Sequence, residues 1–191
     1  MNQRHLQLLA SDDWRLLLRD YLLPFAFGDR RYRDLGDDVL EIGPGPGLTT
    51  DLIRGGLVNL TAIELDPDLA SALSDRMKGT NVDVVEGDGT AMPFESARFT
   101  GAMTFTMFHH VPTVELQDQL LGEIFRVLQP GGLLVASDSV ASEDLAALHI
   151  DDIYNPIDPA TLSDRLGTIG FAEIEIETNS LGWRCQARRR L

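Results

Sequence analysis

The chain has 191 residues, 43% apolar and 24% charged, which is typical of one globular domain with its own core. Its formal net charge of −14 repels phosphate backbones and anionic lipid, so neither nucleic acid nor a membrane surface is an expected partner. Cys185 is the single cysteine, which excludes an internal disulfide. Charged residues interrupt the leucines near the N-terminus, and no stretch is long and apolar enough to span a bilayer. These features predict a cytoplasmic location.

The chain is predicted to form a single domain over residues 1–191, with a helical cap at 1–36 and a core at 37–191. Ser11 is a suitable N-cap for the cap helix, and Pro24 predicts its end. Apolar side chains at helical spacing form its predicted inner face: Trp14, Leu17, Leu18, Tyr21 and Leu22. Such a stripe must pack on another element, and the following segments predict a sheet.

From Val39 onward, short apolar runs alternate with helical patterns. Strands are predicted at 39–42, 60–63, 82–85, 101–105, 133–136, 174–178 and 183–187. Helices are predicted at 48–54, from Pro67, at 114–128 and from Pro159 to Gly170, with Pro130-Gly131-Gly132 stopping the third. No helix separates the last two strands, which should form a hairpin. The pattern predicts an α/β, Rossmann-like, doubly wound sheet of seven strands, mostly parallel with one antiparallel edge strand.

The strongest motif is Glu41-Ile42-Gly43-Pro44-Gly45-Pro46-Gly47, between the first strand and its helix. Glycines let the backbone turn sharply and approach a ligand closely, and ligands of open α/β sheets lie at this end of the strands. The dinucleotide pattern Gly-x-Gly-x-x-Gly requires glycine at position 48, where this chain has Leu48, and no P-loop Lys-Ser/Thr follows. Glu41 would repel a pyrophosphate but attract an ammonium group.

Acidic residues end the next two predicted strands. Glu64 follows the glycine motif by about twenty residues, where a carboxylate can accept hydrogen bonds from a ribose diol. Asp88 ends the third strand and is placed to accept from an exocyclic amine, with Gly87 and Gly89 allowing close approach to a ring edge.

Together these motifs resemble the class I S-adenosylmethionine-dependent methyltransferases, over about Val39 to Asp138. The resemblance implies that the glycine motif contacts the methionine part of the cofactor, Glu64 the ribose, Leu65 the adenine and Asp88 its amine. Arg126 to Gly132 also resembles a signature of this family. The implied S-adenosylmethionine-binding residues are Glu41, Gly43, Gly45, Gly47, Glu64, Leu65, Asp88, Gly89 and Thr104.

Within the class, the segment from Thr104 to Val111 resembles the subgroup that includes ubiquinone and menaquinone biosynthesis methyltransferases, most of which modify small molecules. A neutral imidazole of His109 or His110 could take a proton from an attacking acceptor. The alternative is that the pair shapes the cofactor pocket or packs under the next helix. Methyl transfer can also proceed by alignment alone, without a base.

The segment after the fifth strand is expected to contribute to the acceptor pocket, with Asp138 and Tyr154 as candidate substrate-binding residues. A magnesium site formed by Asp138, Asp151 and Asp152 is a weaker alternative, and no metal is expected. Trp14, Tyr21, Phe25 and Phe27 are candidates for an apolar wall of the site, although core packing explains Trp14 and Tyr21 equally well.

The predicted function is methyl transfer from S-adenosylmethionine to a small-molecule acceptor by in-line displacement, which releases S-adenosylhomocysteine. A non-catalytic S-adenosylmethionine-binding module is one alternative. A nicotinamide-dependent oxidoreductase is another, disfavoured by the glycine spacing.

Overall fold

The structure is a computed structural model that describes residues 3–191, with side chains described from residue 6 onward, so Met1 and Asn2 of the predicted cap lie outside it. The helices are α1 (Gln3–Leu9), α2 (Asp12–Leu17), α3 (Leu23–Phe27), α4 (Leu48–Ile53), α5 (Pro67–Met77), α6 (Val114–Val127), α7 (Glu143–Leu148) and α8 (Pro159–Ile169). The strands are β1 (Asp38–Ile42), β2 (Asn59–Glu64), β3 (Val82–Glu86), β4 (Phe99–Phe105), β5 (Leu128–Asp138), β6 (Phe171–Asn179) and β7 (Gly182–Arg189).

The strands form one seven-stranded sheet in the order β3-β2-β1-β4-β5-β7-β6. The first five strands along the chain pair in parallel: β1 with β2 and β4, β2 with β3, and β4 with β5. The strand order reverses between β1 and β4, and in open α/β sheets a ligand crevice opens at such a point. The predicted Rossmann-like, mostly parallel sheet of seven strands is therefore confirmed.

The C-terminal hairpin of β6 and β7 is also confirmed, but its antiparallel strand is not at the edge. Strand β7 pairs antiparallel with both β5 and β6, so β6 is the edge strand. Trp183 and Cys185 of β7 are buried, which explains this position. A strand with two neighbouring strands buries more apolar side-chain surface than an edge strand does. The alternating exposure of β6 suits an edge.

Helices cover both faces of the sheet, and each face has its own apolar cluster. Because side chains alternate along a strand, Leu40 and Ile42 of β1 face one cluster and Val39 faces the other. The first cluster contains residues of α6 and α8, including Leu120, Ile124, Leu162 and Leu166. The second contains residues of α3, α4 and α5, including Leu23, Phe27, Ile53 and Leu73.

The cap helix continues past the predicted stop at Pro24. A π-helical turn at Leu18–Leu22 joins α2 to α3, and Gly28, with φ +55°, ends α3. Pro24 cannot donate an N–H to the preceding turn, and that turn is the π-helical one, in which the Leu23 N–H donates to Leu18 O. The wider π turn changes the helical periodicity, so Leu18 and Leu22 are buried whereas Tyr21 is 60% exposed. Ser11 caps α2 as predicted, accepting from the Trp14 N–H at 3.1 Å.

Strand β5 begins earlier than predicted. Helix α6 ends at Val127, and β5 starts at Leu128, so Pro130 and Gly131 lie inside the strand rather than in a loop. The ladder between β4 and β5 shifts register between Phe99 and Gly101, which accommodates this irregular stretch. Within residues 3–191, no helix has both the length and the apolar character required to cross a bilayer.

Candidate active site

A cavity of about 490 Å³, here called the large cavity, lies at the carboxyl ends of β1, β2, β3 and β4. Its lining includes Gly43, Glu64, Asp88, Met107 and His110. Parallel strands bring the loops after their carboxyl ends together, so residues far apart in sequence meet here.

The glycine loop requires glycine for two separate reasons. Gly43, Gly45 and Gly47 have φ angles of +66°, +56° and +81°, in the left-handed region that disfavours other residues. A Cβ on Gly43 would lie 2.3 Å from Met107 Cγ, and one on Gly47 would lie 2.4 Å from Leu73 Cδ1. Gly43 and Gly45 line the large cavity, whereas Gly47 is the N-cap of α4 and packs against α5.

Glu64 joins the glycine loop to the end of β2. Its Oε2 accepts the Gly45 N–H at 2.9 Å, and its Oε1 accepts the Asp66 N–H at 3.0 Å. Its side chain is buried and lines the large cavity. Each carboxylate oxygen can accept more than one hydrogen bond, so holding the loop is compatible with binding a ligand hydroxyl.

Glu41 lies under the glycine loop, buried at the end of β1 and lining the large cavity. Its Oε2 accepts from Thr50 Oγ1 at 2.6 Å. Burial raises the pKa of Glu41 to about 7, the Thr50 hydrogen bond opposes this rise, and the carboxylates of Asp51 and Glu64 add to it. A cation in the large cavity would favour ionisation of Glu41.

Asp88, Gly89 and Leu65 line the large cavity where it meets the carboxyl ends of β2 and β3. The Oδ1 atom of Asp88 accepts from the Thr90 N–H and hydroxyl, each at 2.8 Å, which fixes the carboxylate at the cavity rim. A Cβ on Gly89 would lie 3.0 Å from Leu120 Cδ1, so glycine keeps this wall close to the core. Leu65 is 67% exposed, an apolar side chain that a flat ring could cover.

A second cavity of about 240 Å³, here called the small cavity, adjoins the large one. Leu9, Trp14 and Thr106 line both cavities. Thr106 follows β4 directly and has φ +50°, a strained conformation for a β-branched residue, held by its N–H donating to Ser137 O at 2.9 Å. Apolar side chains supply much of the small cavity: Leu17, Leu22, Phe25, Leu145, Leu148 and Trp183.

His109 and Asp138 form a buried pair in the wall of the small cavity. His109 Nδ1 lies 2.6 Å from Asp138 Oδ1, and the His109 backbone N–H donates to Oδ2 at 3.0 Å. Asp138 Oδ1 also accepts the Ser139 N–H at 2.7 Å. These contacts hold the Asp138 carboxylate and the His109 imidazole in one relative orientation.

Two further histidine contacts complete this region. His110 lines the large cavity, and its ring centroid lies 4.2 Å from that of His109. His149, just after α7, lines the small cavity and stacks on Tyr154 at 4.8 Å. The three histidines therefore lie between the two cavities.

Most of the predicted site residues lie together, but three of them line neither the large nor the small cavity. Thr104 is fully buried within β4, paired with Ala136 of β5, because the strand continues one residue past it before the cavity edge. Gly47 turns the chain into α4. The Tyr154 hydroxyl accepts the Ser142 N–H at 3.1 Å and so braces the start of α7. Of the expected apolar wall, Trp14 and Phe25 line a cavity, whereas Phe27 is in the core.

Sequence reasoning missed Thr106, Met107 and the placement of His149. Thr106 and Met107 directly follow β4. Their position after the carboxyl end of a parallel strand could have predicted that they line the cavity. His149 lies 40 residues after His109 and 39 after His110, and no spacing rule connects it to them. The predicted alternative of a magnesium site is not supported, since the ligand-like group formed by the described residues contains histidines and not Asp138, Asp151 and Asp152.

Comparison with known proteins identifies the family. The profile of a family described as "Methyltransferase domain" matches residues 40–136, just over half of the chain. A relative from Mycolicibacterium smegmatis, named a probable S-adenosylmethionine-dependent methyltransferase, is 32% identical and covers 75% of this chain and 55% of its own length. A second relative, from Methanothermobacter thermautotrophicus, is named a probable ribosomal RNA small subunit methyltransferase A. It is also 32% identical, and the match covers 74% of this chain and 57% of the relative's length.

The chain thus spans little more than half the length of these curated relatives. The solved structure of the carbon methyltransferase CurJ superposes with a TM-score of 0.72 at 17% identity, covering 98% of this chain and 58% of that one, a likeness of fold. With the glycine loop and the strand order in place, the profile match shows that the chain belongs to the methyltransferase domain family of class I S-adenosylmethionine-dependent methyltransferases.

Proposed function

We propose that this protein transfers the methyl group of S-adenosylmethionine to a small-molecule acceptor. The observation that carries the proposal is the pair of adjoining cavities, which share Leu9, Trp14 and Thr106 as walls. One cavity has the residues expected to bind the cofactor, and the other has room for a second, smaller molecule.

The large cavity suits S-adenosylmethionine in size and in the order of its polar groups. Its volume of about 490 Å³ lies within the range of small-molecule sites. In this proposal the methionine part lies against Gly43 and Gly45 with its ammonium group towards Glu41. The ribose hydroxyls donate to Glu64, and the adenine lies on Leu65 with its amine at Asp88.

The small cavity supports a small acceptor rather than a polymer. It has a volume of about 240 Å³ and a largely apolar lining, to which His109 and Asp138 add polar groups. The net charge of −14 opposes approach of a nucleic-acid backbone. The ribosomal RNA methyltransferase named among the relatives keeps RNA as an alternative acceptor to be tested.

The reaction proposed is an in-line displacement. The acceptor nucleophile attacks the methyl carbon, the bond from that carbon to sulfur breaks, and its electron pair stays on sulfur to give S-adenosylhomocysteine. Holding the two molecules in adjoining cavities supplies the alignment on which such a transfer depends. A proton lost by the acceptor would pass to His109 or His110, the candidate bases, or to solvent.

Calorimetric titration of the purified chain with S-adenosylmethionine, S-adenosylhomocysteine and NADH tests the cofactor assignment. We expect micromolar binding of both sulfur compounds and none of NADH; the reverse would establish the nicotinamide alternative. Transfer of a labelled methyl group into small-molecule extracts, run beside ribosomal RNA, then tests the acceptor class. Cofactor binding without transfer to any acceptor would favour the non-catalytic binding module.

A further inference from the structure

The three histidines between the cavities form a compact group, here called the histidine cluster: His109, His110 and His149. One ring nitrogen from each lies within 4.8 Å of those of the other two. The ring centroids are separated by 4.2, 4.9 and 5.1 Å. His109 and His149 are only 3% exposed. Three histidines this close together, two of them buried, require a chemical explanation.

Two of these rings, those of His109 and His149, are each oriented by a hydrogen bond through Nδ1. His109 Nδ1 lies 2.6 Å from Asp138 Oδ1, and His149 Nδ1 lies 2.6 Å from the carbonyl oxygen of Leu145. Both partners are acceptors, so each Nδ1 carries the proton and donates it. In the neutral imidazole the lone pair is then on Nε2.

This arrangement is the one found around metal-bound histidines. A ligating histidine donates its second ring N–H to a carboxylate or a backbone carbonyl, which fixes the tautomer and makes the other nitrogen more basic. Here one histidine has the carboxylate partner, Asp138, and another has the carbonyl partner, Leu145. The contacts thus match both kinds of support that a metal ligand receives.

We propose that His109, His110 and His149 bind a divalent transition-metal ion of the zinc class. Imidazole nitrogen is a preferred ligand of such ions, and three protein ligands with an open fourth position are typical of catalytic zinc sites. Zinc–nitrogen bonds of about 2.1 Å place tetrahedral ligand atoms roughly 3.4 Å apart. The nitrogens lie within 4.8 Å of one another, so the most distant pair would close by up to about 1.4 Å on binding the ion.

The site lies where an ion would contact an acceptor. His110 lines the large cavity, whereas His109 and His149 line the small one, so the ion would occupy the wall between them. A hydroxyl or thiol in the small cavity would then be the natural fourth ligand, and the ion rather than a histidine would favour its deprotonation. This consequence rests on the proposed function, but metal binding itself does not.

The test uses the full chain, freed of metal by a chelator, and titrates it with CoCl₂ while recording the visible absorption spectrum. We expect intense bands of tetrahedral cobalt that saturate at one ion per chain and disappear when ZnCl₂ is added. Absence of these bands from the folded wild-type protein would overturn the proposal. The titration needs neither cofactor nor acceptor, so its failure is distinguishable from failure of the proposed function.

Variants assign the ion to this site. His149→Gln and His110→Gln should each weaken cobalt binding at least tenfold, and Asp138→Asn, which touches no ion, roughly tenfold to a hundredfold. The matched control is Asp144→Asn, which removes an exposed carboxylate from α7 and should leave cobalt affinity unchanged. Circular dichroism checks folding of each variant. Equal cobalt affinity in the wild type and the folded histidine variants would show that the ion binds elsewhere, and the proposal would be rejected.

Discussion

Glu64 and Gly45 are joined by a buried hydrogen bond of 2.9 Å, from the glycine backbone N–H to the carboxylate Oε2. The bond ties the loop after β1 to the end of β2, which are neighbouring strands of the sheet. Glu64, which is expected to bind the ribose, therefore also fixes the glycine loop, which is expected to bind the methionine part of the cofactor. Loss of Glu64 should affect both parts of the large cavity.

Replacing Glu64 by alanine should weaken S-adenosylmethionine binding. Hydrogen bonds to a charged group contribute about 1.5–3 kcal/mol, so the dissociation constant should rise roughly tenfold to a hundredfold. Calorimetry measures the change. Glu86→Ala is the matched control, because Glu86 pairs with Glu64 in the β2–β3 register but is exposed and outside the cavity lining. Unchanged affinity in folded Glu64→Ala would refute the assignment.

Gly43→Ala should lower both stability and cofactor affinity. Its φ is +66°, and the added methyl group would lie 2.3 Å from Met107 Cγ, so Met107, which lines the large cavity, must shift. Gly79→Ala separates the two effects, since Gly79 has φ +77° but open space around it. We expect about 1–2 kcal/mol lower unfolding free energy for Gly79→Ala with normal affinity, and a larger loss for Gly43→Ala. Denaturant unfolding and calorimetry measure these quantities; equal behaviour of the two variants would contradict the steric argument.

Glu41→Gln should change how stability depends on pH. The pKa of Glu41 is about 7 in the folded protein against an ordinary value of 4.5. Between these pH values the folded carboxyl keeps a proton that the unfolded one has lost, so stability falls as pH rises. The loss amounts to about 3 kcal/mol and is complete above pH 7. Glutamine does not ionise, so the free energy of unfolding of the variant should not fall in this way. Urea unfolding from pH 4 to pH 8 should therefore show the variant becoming more stable relative to the wild type by ~3 kcal/mol. Parallel pH profiles would show that Glu41 ionises normally.

Filling the small cavity should block the acceptor and spare the cofactor. Leu145 lies on α7 and lines the small cavity but not the large one, so Leu145→Trp should reduce kcat/KM for methyl transfer at least tenfold. The dissociation constant of S-adenosylmethionine should stay within about twofold of the wild type, because the large cavity is unchanged. Ala146→Trp, exposed on the same helix, controls for the added indole. Normal transfer by Leu145→Trp would place the acceptor elsewhere.

Much of the fold and part of the site could be predicted from the sequence, because they depend on residues close together along the chain. The alternation of strands and helices, the cap at Ser11 and the helix start at Pro159 follow from local patterns. The positive φ angles of Gly43 and Gly45 are likewise a local requirement of the turn after β1. Glu64 and Asp88 reach the large cavity because Glu64 ends β2 and Asp88 closely follows the end of β3, and both strands are parallel.

Contacts between distant segments decided the rest. The π turn that exposes Tyr21 and the interior position of β7 depend on packing against the sheet, which periodicity along the chain does not encode. The histidine cluster and the small cavity exist because the end of β4 meets the end of α7 and the cap helix. Local sequence specifies where the chain turns, whereas burial of apolar surface determines which turns come into contact. The position of His149 beside His109 was therefore decided by the tertiary structure.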